Sequence, residues 1–163
     1  MAKIVKIPDT DNVLRYAKKK HLIWQLDSSD NQEKIIGCFP DLFKLRDDPE
    51  FNKKNGGPEK ALSVNWLEFF QCSAEKNIQK AVDDFCSART IKKHDAFAKL
   101  NVGAFKMMCN RHSAKVRIIH DAKRSSVKSH SSITQLPQDN ALLLDDLCEM
   151  AFKALMPAGR FIK

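Results

Sequence analysis

An α+β fold in a single domain, with a mixed or antiparallel sheet and packed helices, is what this sequence predicts, and three observations carry it. The 163 residues, 43% hydrophobic and 29% charged, are enough for one sizeable core. Short apolar runs bounded by turn residues sit among stretches with apolar residues spaced by three and four. Strand and helix signals neither alternate in tandem nor repeat, which argues against a βαβ architecture or a solenoid.

The elements follow in order. Lys3 to Ile7 alternate as a short strand, and Asp9 or Asp11 is placed to cap a helix running to about Lys20, with Val13, Leu14 and Ala17 inward. Leu22 to Leu26 (LIWQL) reads as a strand, Asp27 to Lys34 as a polar turn and Ile35 to Phe39 (IIGCF) as its extended partner in a hairpin. Between Asp47 and Lys60, the residues Pro49, Gly56, Gly57 and Pro58 predict an exposed loop. Leu62 to Phe70 (LSVNWLEFF) reads as a strand turning into a helix. Ile78, Ala81, Val82, Phe85 and Cys86 then mark an amphipathic helix over 74–89, capped by Ser73. Ala96 to Val102 fixes no period, and Gly103 after it marks a turn or a close backbone approach. Val116 to His120 (VRIIH) is a strand. Pro137, Asp139 and Asn140 introduce a C-terminal helix whose stripe is Leu144, Leu147, Cys148, Ala151 and Leu155. The expected core is Val64, Trp66, Leu67, Val82, Phe85, Leu100, Val102, Ile118, Leu144 and Leu147; Trp66, Phe69 and Phe70 read as core rather than as a base-stacking platform.

No run of 18 apolar residues exists, and Met1 to Pro8 lacks the pattern of a signal peptide, so a cytoplasmic protein without membrane contact is expected. The cysteines at 38, 72, 86, 109 and 148 are odd in number and contain no C-x-x-C pair. Neither a disulfide framework nor a metal site is indicated, and no cofactor is expected.

The net charge of +8 is concentrated. From Arg89 to His130 there are eleven Lys/Arg against Asp95 and Asp121, so this segment carries +9 and everything else sums to −1. Such a concentration attracts polyanions, whether nucleic acid, an acidic protein or a phosphorylated metabolite. Lys115, Arg117, Lys123, Arg124 and Lys128 are the candidate phosphate contacts. The densest polar cluster is His120-Asp121 with Arg124 and Ser129-His130-Ser131-Ser132, in which His120 and His130 would serve as acid and base, Asp121 would orient one imidazole, and Arg117 or Arg124 would stabilise phosphate charge. Known site types fit poorly. The His120-Asp121 pair follows strand-like VRII rather than lying on a helix, His112-Ser113-Ala114 fails the second H-x-[ST] unit of a two-histidine phosphoesterase, and no Gly-rich phosphate loop is present.

The order D-x-V-L-R (11–15), G-x-F then F-x-L-R (37–46), L-S-V-N-W-L-E (62–68), L-N-V-G (100–103) and H-D with S-H-S (120–131) resembles an uncharacterised group of small bacterial proteins over roughly residues 11 to 150. The chain departs from that pattern around S-H-S, with Val127-Lys128 before it and Ser132 after it. The resemblance implies a bacterial or mobile-element origin and no activity. Three function classes therefore stand side by side: a basic accessory protein that contacts nucleic acid or another polyanion, a small phosphodiester-processing enzyme or toxin using His120 and His130, and a protein-interaction or immunity module docking through 47–60 or the C-terminal helix.

Overall fold

The computed structural model describes residues 4–121 and 126–162. Its centre is a seven-stranded antiparallel sheet built from β1 (Val5–Lys6), β2 (Asn12–Ala17), β5 (Leu62–Trp66), β6 (Ala96–Asn101), β7 (Arg117–His120), β8 (His130–Thr134) and β9 (Leu155–Pro157), in the order β1-β7-β8-β5-β2-β6-β9. A separate hairpin joins β3 (Leu22–Asp27) to β4 (Gln32–Cys38). The helices are α1 (Pro49–Asn55), α2 (Ala74–Cys86), α3 (Val102–Arg111) and α4 (Ala141–Lys153). This is a single α+β domain, as the composition and patterning predict.

Apolar packing covers both faces of the sheet. On one face Val13, Val64, Leu100, Ile118 and Ile133 pack against Phe105 and Cys109 of α3 and Leu144 and Leu147 of α4. On the other, Leu14 and Phe97 meet Ala81 and Val82 of α2, with Tyr16 and Phe85 at the margin. Eight of the ten expected core residues are buried; Trp66 and Phe85 are half-buried and pack against the clusters.

Two-sided burial also explains the largest misreading. Residues 12–17 form the central strand β2, not a helix capped by Asp9 or Asp11, because a strand covered on both faces loses its alternation and Val13-Leu14 then mimics a helical stripe. The 47–60 segment, read as a loop, contains α1. Asp48 caps it by accepting from Phe51 N at 2.8 Å, Pro49 sits in its first turn, and Gly56 ends it in the left-handed region at φ 75°. Its prolines and glycines punctuate a helix rather than preventing one. The helix α3 has no separate start signal in the sequence because β6 runs straight into it, Asn101 serving as both last strand residue and N-cap by accepting from Ala104 N at 2.9 Å.

Gly103 meets the close-approach requirement. Its N–H donates to Asp9 O at 2.9 Å, and a Cβ there would lie 2.9 Å from that same carbonyl. Gly103→Ala should therefore push α3 off the 9–11 segment and cost about 1–3 kcal/mol by chemical denaturation. An unchanged midpoint would show that the contact is slack.

Candidate functional site: a basic cleft over a Ser–His–Asp line

The ladder between β2 and β5 pairs only Val13 with Trp66 and Leu14 with Asn65. Past Leu14 the strands part, and Arg15 bridges the opening. Its Nη1 donates to Ser63 O at 2.9 Å, and its Nε and Nη2 donate to Leu42 O at 3.0 and 2.7 Å. No carboxylate among the described residues forms an ion pair with it. Burial pulls the guanidinium down to about 10, Glu59 opposing and Arg89 adding to the shift, so it remains charged at neutral pH.

Arg15 forms part of the floor of a cleft of about 680 Å³. Six Lys/Arg line it (Arg15, Lys18, Lys20, Lys44, Arg46 and Arg89) against Asp41, Asp48 and Glu59. Lys44 pairs with Asp41 at 3.9 Å and Arg46 with Asp48 at 3.3 Å. Arg15, Lys18, Lys20 and Arg89 have no ion-pair partner among the described residues. Their charges reach one another: Lys18 is lowered by partial burial and then by Lys20, Arg46 and Arg89. His21, whose Nδ1 accepts from Lys18 N at 3.1 Å, is drawn down to about 4 by burial and then by Arg15, Lys20 and Lys18.

Three anchors shape the cleft. Gln138 accepts from Leu45 N at 2.7 Å and donates to Phe43 O at 3.3 Å, fixing the 40–45 segment that presents Leu42 O to Arg15. Asp95, buried, accepts from Lys19 N and Lys92 N at 2.9 Å and from the hydroxyl of Tyr16. Burial and that carboxylate together raise the Tyr16 phenol above its ordinary range. Outside the lining, Asp84 of α2 accepts from Ser129 N at 2.8 Å and Ser129 Oγ at 2.6 Å, while Asn65 Nδ2 donates to Ser129 Oγ at 2.9 Å. This network sets the start of β8 and with it His130.

His130 lies at the cleft with Ser63 and Asn65. Its Nδ1 is 2.7 Å from Asp121 Oδ1 and its Nε2 is 3.2 Å from Ser63 Oγ; the other Asp121 oxygen accepts from Ser132 Oγ. The imidazole that Asp121 orients is thus that of His130, and Ser63 lies on its other nitrogen. His120 is not part of it. It pairs with Ser131, the residue after His130, so strand alternation puts it on the opposite face. There its Nε2 donates to Lys128 O at 2.8 Å and its ring lies 5.4 Å from Trp66 and 5.2 Å from Phe69. Among the cations of the 89–130 segment, Lys115, Arg117 and Lys128 are exposed, and Lys106 pairs with Asp9 at 2.7 Å. Arg89 lines the cleft, and Lys123 and Arg124 lie outside the described residues.

The five cysteines are unbridged, and no group of three or more His, Cys, Asp or Glu among the described residues is arranged to hold a metal. Burial raises Cys38 and Cys109 to about 11 and Cys148 to about 12, which keeps these thiols protonated. No helix of the described residues is long and apolar enough to cross a membrane.

The depressed His21 has a pH consequence. The unfolded chain takes up its proton near the ordinary 6.5 and the folded chain only near 4, so the unfolded state binds more protons in between. Stability should be complete above pH 6.5 and should fall as pH drops towards 4. His21→Asn should flatten that fall in urea titrations at stepped pH; equal slopes in the two proteins would contradict the assignment. No family model, no curated protein and no solved structure matches this chain.

Proposed function

We propose that this protein binds a phosphate-bearing polyanion, nucleic acid foremost, in the basic cleft. The observation that carries the proposal is Arg15, a charged guanidinium enclosed at the cleft floor and held by two backbone carbonyls instead of a carboxylate. A half-buried cation that makes no ion pair is costly, and an anionic ligand offsets that cost. The unpaired Lys18, Lys20 and Arg89 around it supply further phosphate contacts, and the volume lies within the range of ligand sites. The exposed Lys115, Arg117 and Lys128, with Lys123 and Arg124, extend the same sign of charge along the chain and would add non-specific backbone contacts. No recognition-helix motif aims side chains into a groove, so weak base preference goes with this reading. A cytoplasmic location goes with it too, supported by the unbridged cysteines.

Binding of fluorescent single-stranded RNA, single-stranded DNA and duplex DNA across a salt series tests the proposal. Affinity should fall steeply with salt. Replacing Lys18, Lys20 and Arg89 together by Gln should flatten the single-strand salt slope by about two, at about 0.7 per lost phosphate contact. A flattening produced by Lys123, Arg124 and Lys128 instead would move the interface to the 115–128 segment. Absence of binding to all three at low salt would leave an acidic protein partner as the occupant, with α1 as part of its docking wall.

A further inference from the structure

Ser63 and His130 stand on neighbouring antiparallel strands, where Ser63 pairs with Ser132 and Asn65 with His130, so both side chains share the cleft face as diagonal neighbours. Asp121 is held at both oxygens, by His130 Nδ1 and by Ser132 Oγ. A carboxylate can only accept, so Nδ1 donates to Asp121, and in that tautomer of the neutral imidazole the lone pair of Nε2 faces the Ser63 hydroxyl. Nucleophile, base and orienting acid thus stand in line. Arg15 donates to the main-chain carbonyl of Ser63 and lines the same cleft as Ser63 and His130.

We propose that Ser63, His130 and Asp121 cleave a phosphodiester bond of the polyanion bound in the cleft. The proposal takes its substrate class from the polyanion reading and rests on it to that extent. In the first step Nε2 takes the Ser63 proton as Oγ attacks phosphorus. The bond from phosphorus to the leaving alcohol breaks, and the imidazolium returns its proton to the departing oxygen, leaving a phosphodiester on Ser63. In the second step a water gives its proton to Nε2 while its oxygen attacks phosphorus. The Oγ–P bond breaks, Oγ recovers the proton from His130, and water is the only co-reactant. Negative charge gathers on the non-bridging oxygens at each attack, where the cations that line the cleft stabilise it. A phosphorus centre suits this site better than a carbonyl because six Lys/Arg line the cleft that holds Ser63 and His130. Ser63 and His130 are catalytic residues in this scheme; Asp121 is a positioning residue that keeps the proton on Nδ1.

Two measurements on the full-length protein test it. With bis(p-nitrophenyl) phosphate as substrate, p-nitrophenolate release should fall at least about 100-fold in Ser63→Ala and in His130→Ala. In Asp121→Asn the side-chain amide can donate to Nδ1 and turn Nε2 into a donor, so kcat should collapse while KM stays within about twofold. Independently of any variant's folding, diisopropyl fluorophosphate should label the wild-type chain once, at Ser63 by peptide mass spectrometry. Wild-type protein that binds RNA in a salt-dependent way yet neither turns over the diester nor takes the label would overturn the relay and leave the binding reading intact. Turnover that survives Ser63→Ala would overturn it equally. Turnover and labelling without binding to any nucleic acid would support the relay on small diesters and remove the polyanion reading.

Discussion

A charged guanidinium enclosed between two parting strands is the constraint around which the site is organised. Arg15 sits on the central strand, where a fully closed sheet would have paired Ser63 O with backbone; here the side chain takes that carbonyl and reaches Leu42 O as well. Five donors on a planar fork can bridge two carbonyls and still leave N–H groups for a ligand, which the compact ammonium of a lysine cannot do with the same geometry. The opening between β2 and β5, the placement of the 40–45 segment over it and the unpaired charge at its floor therefore form one feature.

Much of the buried polarity elsewhere serves this feature. Asp95 ties Tyr16 to the turns at Lys19 and Lys92, Gln138 fastens the segment that carries Leu42, and Asp84 with Ser129 and Asn65 fixes the start of β8. Each of these groups is satisfied by hydrogen bonds to backbone or to another polar side chain, as burial demands. The apolar faces supply the stability and the polar anchors fix the geometry: α3 and α4 close one side of the sheet, α2 the other, and the cleft opens where β2 and β5 part.

What was legible in the sequence divides along physical lines. Helices with one wet face announced themselves: Ser73 with Ile78, Ala81, Val82 and Phe85 of α2, and Asn140 with Leu144, Leu147, Cys148 and Ala151 of α4, stand where periodicity and capping residues put them, whereas Cys86 is exposed and Leu155 lies past the helix end in β9. The β3–β4 hairpin, which keeps an exposed side, was equally readable. β2 was not, because a strand buried on both faces carries no alternation, and α1 was hidden because its Pro and Gly look like loop residues until the cap is seen. The Asp121–His130 pair was legible as a local cluster nine residues apart. Ser63 and Arg15 come from β5 and β2, far away in sequence, and only strand pairing joins them to it. Their signals were present but faint: an arginine inside the apolar run of β2, and Ser63 and Asn65 alternating with Leu62, Val64 and Trp66, a polar stripe on one face of a strand that otherwise reads as core. His120, adjacent to Asp121, was placed with it by proximity in sequence, whereas strand alternation sends it to the other face.

The most direct test of the central claim is the side-chain Nε–Hε resonance of Arg15, followed by ¹H–¹⁵N spectroscopy while inorganic pyrophosphate is titrated into the protein. A phosphate ligand seated at the cleft floor should move that resonance saturably, in step with the His130 ring signals. Shifts confined to the exposed lysines and arginines of 115–128, with Arg15 unmoved at saturation, would show that the anion binds elsewhere and that the enclosed guanidinium serves the fold alone.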